Sequence, residues 1–122
     1  MAFKFEGLRV WQMALEYFDL IYEVAQSFPE EERFNLKSQI CRAVTSISNN
    51  IAEGSIGQSD AEFNRFLGIA LRSCLETINC LHLAKRRNYI NEAAFMKGYQ
   101  FGEDLFKGIQ ALRKTLSMSC GL

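Results

Sequence analysis

Residues 36–54 read L-K-S-Q-I-C-R-A-V-T-S-I-S-N-N-I-A-E-G, and this stretch decides the fold. Leu36, Ile40, Ala43, Ile47 and Ile51 recur at helical steps, so at about 100° per residue they share one side of a helix. The back of the same helix carries Ser38, Cys41, Thr45, Ser48, Asn49 and Ala52, and between Ser38 and Ala52 the single charge is Arg42. A water-facing helix normally carries Lys and Glu in i,i+4 pairs. Small, weakly polar side chains instead let backbones approach, so this face predicts cover by another helix, from the same chain or from a second copy. Along one edge, Gln39, Arg42, Ser46, Asn50 and Glu53 form a polar stripe. Two readings are open for it. It is a satisfied polar network at a helix or subunit junction, since a partly buried Arg and Glu need partners. Alternatively it is a groove in which the planar Arg42 fork, the Glu53 acceptor and the groups between them hold a phosphate or carboxylate.

Working outward, the preceding segment has Leu8, Trp11, Leu15, Phe18, Tyr22 and Ala25 on one stripe, with Val10, Ala14, Ile21, Val24 and Phe28 beside it. These predict a first helix with a wide apolar face. Pro29 fits the first turn of a new helix, and Glu30, Glu31 and Glu32 suit its positive end, which places the start of helix two there. Gly54 and Gly57 mark its exit. Ser59-Asp60-Ala61-Glu62 reads as a capping box opening helix three, with Phe63, Phe66, Leu67, Ala70, Leu71, Cys74, Leu75, Ile78 and Leu81 as its apolar face and an end near Arg87. Asn91 is the cap expected for helix four, whose apolar residues are Phe95, Tyr99, Leu105, Phe106, Ile109, Leu112 and Leu116. Gly98 and Gly102, one turn apart, predict a close helix approach. Strand signals are almost absent. The fold class that follows is all-α, an antiparallel up-down-up-down four-helix bundle forming one domain over residues 1–122.

Composition narrows function. Fourteen basic and fourteen acidic side chains cancel, so long-range attraction to phosphate gains nothing from the total. The charge is nevertheless uneven: residues 1–35 hold three basic against seven acidic groups, and residues 59–122 hold nine against six. Lys85, Arg86 and Arg87 end helix three and Arg113 with Lys114 lies late in helix four, which makes these the candidate nucleic-acid-binding residues, or else cations complementing helix C-termini. On helix one, Glu16, Asp19 and Glu23 form an acidic face suited to a protein partner. No bilayer-length apolar run and no export signal is visible, so a cytoplasmic protein without membrane contact is expected. Cys41, Cys74, Cys80 and Cys120 form no C-x-x-C pair, and His82 is not spaced as their co-ligand. These cysteines read as reduced packing residues. No metal, cofactor or catalytic residue is expected, because nothing supplies an activated nucleophile or a tuned acid and base.

The segments L-R-V-W-Q-M-A, F-P-E-E-E, L-K-S-Q-I-C-R-A-V-T-S-I-S-N-N-I-A-E-G and E-F-N-R-F-L-G-I-A-L-R-S together resemble the four-helix bundle family of proteins encoded by 23S rRNA intervening sequences. The accessory variability determinant of diversity-generating retroelements is a more distant, more basic relative of that family. The resemblance implies a left-handed antiparallel bundle assembling as a homopentameric ring, in bacteria. It carries the family's polar positions onto Gln39, Arg42, Ser46, Asn50, Glu53, Gly54, Ser73 and Glu76. Ser48, Arg72 and Ile78 depart from it, standing where the family usually has Pro, Gly and an acidic residue. The function implied is a non-enzymatic homo-oligomeric scaffold binding RNA or a nucleic-acid enzyme. The other reading is a protein-interaction adaptor that uses the acidic helix-one surface without nucleic acid.

Overall fold

A computed structural model describes residues 2–57 and 59–120, with side chains described through Ser117. A 3-10 turn at Lys4–Gly7 leads into α1 (Arg9–Ala25), and a second 3-10 turn at Glu30–Glu32 precedes α2 (Leu36–Ser55). α3 spans Asp60–Arg86 and α4 spans Glu92–Cys120, and no strand is present among the described residues. α1 packs on α2 and α4, α3 packs on α2 and α4, and the diagonal pairs do not pack on each other. Cross-contacts run in opposite directions along neighbours: Ser73 meets Ser46 while Phe66 meets Gly54, and Ser117 meets Asn64 while Gly98 meets Leu81. The all-α, antiparallel up-down-up-down four-helix bundle is therefore what the chain forms.

The core differs from the sequence expectation on α1. Val10, Ala14, Tyr17, Ile21 and Ala25 are buried, whereas Leu15 and Tyr22 are 39% and 41% exposed. The apolar arc of α1 is wider than its neighbours can cover. The bundle takes the half centred on Tyr17, because Tyr17 donates a 3.0 Å hydrogen bond to the Gly98 carbonyl and stacks on Phe101 at 5.4 Å. Burial holds the phenol far above its usual pKa. Gly98 and Gly102 make room for this arrangement, since a Cβ on Gly102 would lie 2.5 Å from the Tyr17 Oη and one on Gly98 2.7 Å from Leu81 Cδ1. The close approach expected from these two glycines is what they provide.

One boundary also moves. Helix two does not begin at Pro29: Glu30–Glu32 is an isolated turn, Asn35 breaks the chain at φ −127° and ψ −104°, and α2 starts at Leu36. Glu32 is the reason, because its Oε1 accepts from the Leu36 amide at 3.2 Å and from Asn35 Nδ2 at 3.1 Å, satisfying donors at the true helix start. The exit expected around Gly54 and Gly57 falls between them, α2 ending at Ser55. Gly54 itself lies in the last turn and packs on α3, where an added Cβ would come within 2.6 Å of Phe66 Cβ. The other caps behave as expected: Ser59 Oγ accepts from the Glu62 amide at 3.1 Å, and Asn91 Oδ1 from the Ala94 amide at 2.8 Å. α3 ends in a Schellman turn in which Asn88 takes φ 63° and the Tyr89 and Asn88 amides reach Ala84 and Lys85 carbonyls at 2.9 and 3.0 Å. Leu75, expected on the apolar face of α3, is 54% exposed.

Glu32 also ties this linker to the α3–α4 turn at the same end of the bundle, since the Tyr89 hydroxyl donates to its Oε2 at 2.7 Å. That bond first, and then the Leu36 amide, hold the Glu32 carboxyl below its ordinary value. A carboxylate with a depressed folded pKa contributes stability that is present above its unfolded pKa and is lost as pH falls through the folded one. Melting curves of wild type and Glu32→Gln should therefore differ near neutral pH and converge as pH drops below 4.5. A constant separation across that range would show that Glu32 ionisation does not stabilise the fold.

Candidate groove on the outer face of α2

The polar stripe divides into a closed part and an open part. Ser73 of α3 donates to Ser46 Oγ at 2.8 Å, and Asn50 Nδ2 donates to Ser46 Oγ at 3.0 Å and to the Ser46 carbonyl at 2.8 Å. Gln39 Nε2 reaches Glu76 Oε2 at 3.4 Å. Those residues form a polar seam between α2 and α3, as the first reading of the stripe expected. Arg42 and Glu53 do not join it. Both are exposed, and neither forms an ion pair among the described residues.

They open instead on a shallow groove of about 670 Å³ that runs along α2. Its lining comprises Arg42, Glu53, Ser46 and Asn50 of the stripe, Ser38, Cys41, Thr45 and Asn49 of the small-residue face, and Tyr22 of α1. Within it the hydroxyls are spent locally, Thr45 on the Cys41 carbonyl at 2.7 Å and the adjacent Ser48 on the Thr45 carbonyl at 3.4 Å. Such i−4 and i−3 back-bonding occupies these two hydroxyls, while Arg42, Asn49 and Glu53 keep the lining mixed in polarity. Beside it on α1, Tyr22 packs on Phe18 at 4.3 Å. Among the described residues no other helix covers this face. Sequence reasoning placed Tyr22 with the inward residues and so missed it as a wall of the groove. The available signal was its neighbourhood: Asp19 and Glu23, one turn and one residue away, place that side of α1 near solvent.

Burial pushes the Cys74 and Cys80 thiols up to about 12 and about 11, and raises Cys41, so these cysteines are free packing residues. The Cys120 thiol lies outside the described residues. His82 packs edge-on against Phe95 at 4.9 Å, and among the described residues no cluster of His, Cys, Asp and Glu could hold a metal ion. No helix among them is long and apolar enough to cross a membrane.

The basic candidates are not brought together. Lys85 Nζ is 2.7 Å from Glu92 Oε2 and 4.4 Å over the Phe95 ring, while Arg86 and Arg87 are exposed at the same end of the bundle. Arg113 is held by Asn64 Oδ1, its guanidinium lying over Gly68, with Lys114 exposed next to it. Gly68 and Lys85 are separated along α3 by on the order of 25 Å, so the two groups occupy opposite ends. Arg65 and Arg72, which the sequence reading did not count among the basic candidates, join Arg113 in a groove between α3 and α4.

These features define an antiparallel four-helix bundle with a polar α2–α3 seam and an uncovered small-residue face on α2. The chain belongs to the 23S rRNA-intervening sequence protein family, whose profile it matches over residues 6–111. It is similar to a protein of unknown function from the S23 ribosomal protein family of Bacteroides thetaiotaomicron VPI-5482, whose crystal structure was determined at 1.70 Å. That similarity has a TM-score of 0.80 and 30% sequence identity, and covers 86% of this chain and 98% of the other. No curated protein matches the chain.

Proposed function

We propose that the protein is a non-enzymatic helical scaffold that works as a homo-oligomer, five copies to a ring as the family resemblance implies, and that the ring holds RNA or an enzyme acting on nucleic acid. One observation carries the oligomer: the small-residue outer face of α2, bordered by Arg42 and Glu53 and walled by Tyr22, is left open among the described residues. Exposed side chains on a solvated helix are charged, and exposed apolar patches mark contacts with other molecules. The groove offers hydroxyls, amides, a guanidinium and a carboxylate, a set suited to holding a surface rather than to chemistry on a substrate. Cys41 reports on the cover directly. At mildly alkaline pH and micromolar protein, a maleimide should label Cys41 slowly in the native assembly and several-fold faster once the assembly is dissociated by dilution, while Cys74 and Cys80 stay unlabelled. Equal Cys41 rates in both states would remove the α2 face from the interface.

The nucleic-acid part is supported by Arg86, Arg87 and Lys114, exposed cations that a ring would repeat around its rim. Replacing Lys85, Arg86 and Arg87 by alanine should weaken binding of a single-stranded RNA and make its salt dependence shallower, by about one unit of slope for each phosphate the protein no longer neutralises. Absence of RNA binding by the wild type at low salt would sink that half of the proposal. The second reading, a protein adaptor, is favoured by Glu16, Asp19 and Glu23, all exposed on α1, and by the pI of about 6.6. Recovery from lysate of a protein partner that survives nuclease treatment supports it; recovery of RNA alone counts against it.

A further inference from the structure

The α3–α4 groove, about 550 Å³ in volume, is built around a cation that has no anion. Arg113 is half-buried, and its guanidinium lies against α3 at Gly68, where an added Cβ would come within 3.3 Å of Nη2 and 3.4 Å of Cζ. Its Nε donates to Asn64 Oδ1, and Asn64 Nδ2 donates in turn to Ser117 Oγ at 2.9 Å. Asn64 is only 8% exposed, so a buried neutral amide, itself tethered, sets where the guanidinium sits. Among the described residues the two terminal nitrogens of Arg113 bond to nothing, and no carboxylate pairs with them. A partly buried guanidinium is ordinarily matched by a carboxylate, because its desolvation is otherwise uncompensated.

The surroundings add like charge. Arg65 and Arg72 line the same groove from α3, and Lys114 stands at its α4 edge. Along α3 the two arginines bracket Gly68, at rises of about 4.5 Å on one side and about 6 Å on the other. Arg65 rests on the Phe66 ring, its Cζ 4.6 Å from the centroid, and neither it nor Arg72 forms an ion pair among the described residues. No Asp or Glu lines this stretch, in a chain whose acidic and basic residues are equal in number. A groove walled by one sign of charge concentrates the field that attracts an anion.

We infer that this groove binds the phosphate group of a phosphate ester, with Arg113 as a fixed fork and Arg65 and Arg72 closing on it from either side. Three guanidinium groups suit phosphate better than carboxylate, since a carboxylate has two oxygens and a single fork already occupies both. The organic part of an ester has a place beside them: Leu75, 54% exposed and one turn from Arg72, borders the same groove with Phe106. The site is complete within one chain, so it stands apart from the oligomer reading. It also lies on the order of 25 Å along α3 from Lys85, Arg86 and Arg87.

Asn64→Asp tests the site with little disturbance. Aspartate has the shape of asparagine, keeps an acceptor for Arg113 and Ser117, and supplies the carboxylate that the groove lacks. Helicity and melting midpoint should be retained, while phosphate-ester binding weakens about tenfold or more. Arg65→Gln with Arg72→Gln, both at exposed positions, should weaken it similarly, and Lys85→Ala with Arg86→Ala and Arg87→Ala should leave it unchanged. Titration calorimetry at low salt with a nucleoside monophosphate and with a short single-stranded oligonucleotide reads this. Binding of the monophosphate with that pattern of variants supports a small phosphate monoester as the ligand; binding of the oligonucleotide alone, with the same pattern, supports a phosphodiester strand. Three results overturn the site: neither probe binds the wild type, Asn64→Asp binds as tightly as wild type, or only the Lys85, Arg86 and Arg87 variant loses binding. A polyglutamate peptide bound as tightly as either probe also overturns it, and assigns the groove to an acidic protein segment.

Discussion

Thr45→Arg is expected to release 14.0 kDa monomers while leaving the helical content of the bundle unchanged. Thr45 lies in the middle of the uncovered α2 face, and its hydroxyl donates to the Cys41 carbonyl one turn back. Arginine is the better helix former, so the helix itself loses nothing. The interface loses a great deal. A long cation placed where small side chains let a second backbone approach either blocks the approach or is buried without a partner, at a cost of about 3–5 kcal/mol. That is at least a hundredfold in the dissociation constant. Sedimentation velocity with parallel circular dichroism checks it. An assembly of unaltered mass would mean that α2 faces water after all.

Gly102→Ala is expected to be the most damaging single methyl in the core. The new Cβ would sit 2.5 Å from the Tyr17 Oη and 3.0 Å from Ile78 Cδ1, so three helices have to shift or Tyr17 has to give up its bond to Gly98. Overpacking of this kind costs about 1–3 kcal/mol, although alanine has the higher helix propensity and returns about 1 kcal/mol of that. Tyr17→Phe alone should cost about 0.5–1.5 kcal/mol for the missing hydrogen bond. Tyr17→Phe combined with Gly102→Ala removes the clashing oxygen, so the double variant should be more stable than the sum of the two losses predicts. Thermal melts at one fixed protein concentration are the appropriate measurement, because the midpoint of an oligomer depends on concentration. Additive losses would show that the hydroxyl and the glycine do not share the same space.

The α2 block was the legible part of this sequence, and the reason is physical. Leu36, Ile40, Ala43, Ile47 and Ile51 have no competing apolar residues on the far side of the helix, so its period alone assigns the faces. α1 carries aromatic and aliphatic residues around more than half its circumference. Periodicity shows such a helix but not which arc the neighbours take. That choice depends on Tyr17 meeting Gly98 and Gly102, residues more than eighty positions away. The start of α2 was misplaced for a similar reason. Pro29 and three glutamates satisfy the local rules for a helix start, and only Glu32 bonding to the Leu36 amide and Tyr89 hydroxyl shows that the glutamates serve a later one.

The polar stripe was legible in the sequence as a set of residues, and its division was not. Gln39, Ser46, Asn50, Ser73 and Glu76 close the α2–α3 seam, while Arg42 and Glu53 stand outside it, although in the sequence the helix-two members form one stripe. Arg65 and Arg72 were not counted with the basic candidates because they are seven apart among polar and apolar residues rather than clustered.

The claim on which the rest depends is that another copy of the chain covers the outer face of α2. Light scattering coupled to size exclusion on the wild type at micromolar concentration tests it most directly. A single species several times heavier than 14.0 kDa is expected, five times that mass for the ring implied by the family resemblance. A well-behaved species of 14.0 kDa would contradict the claim.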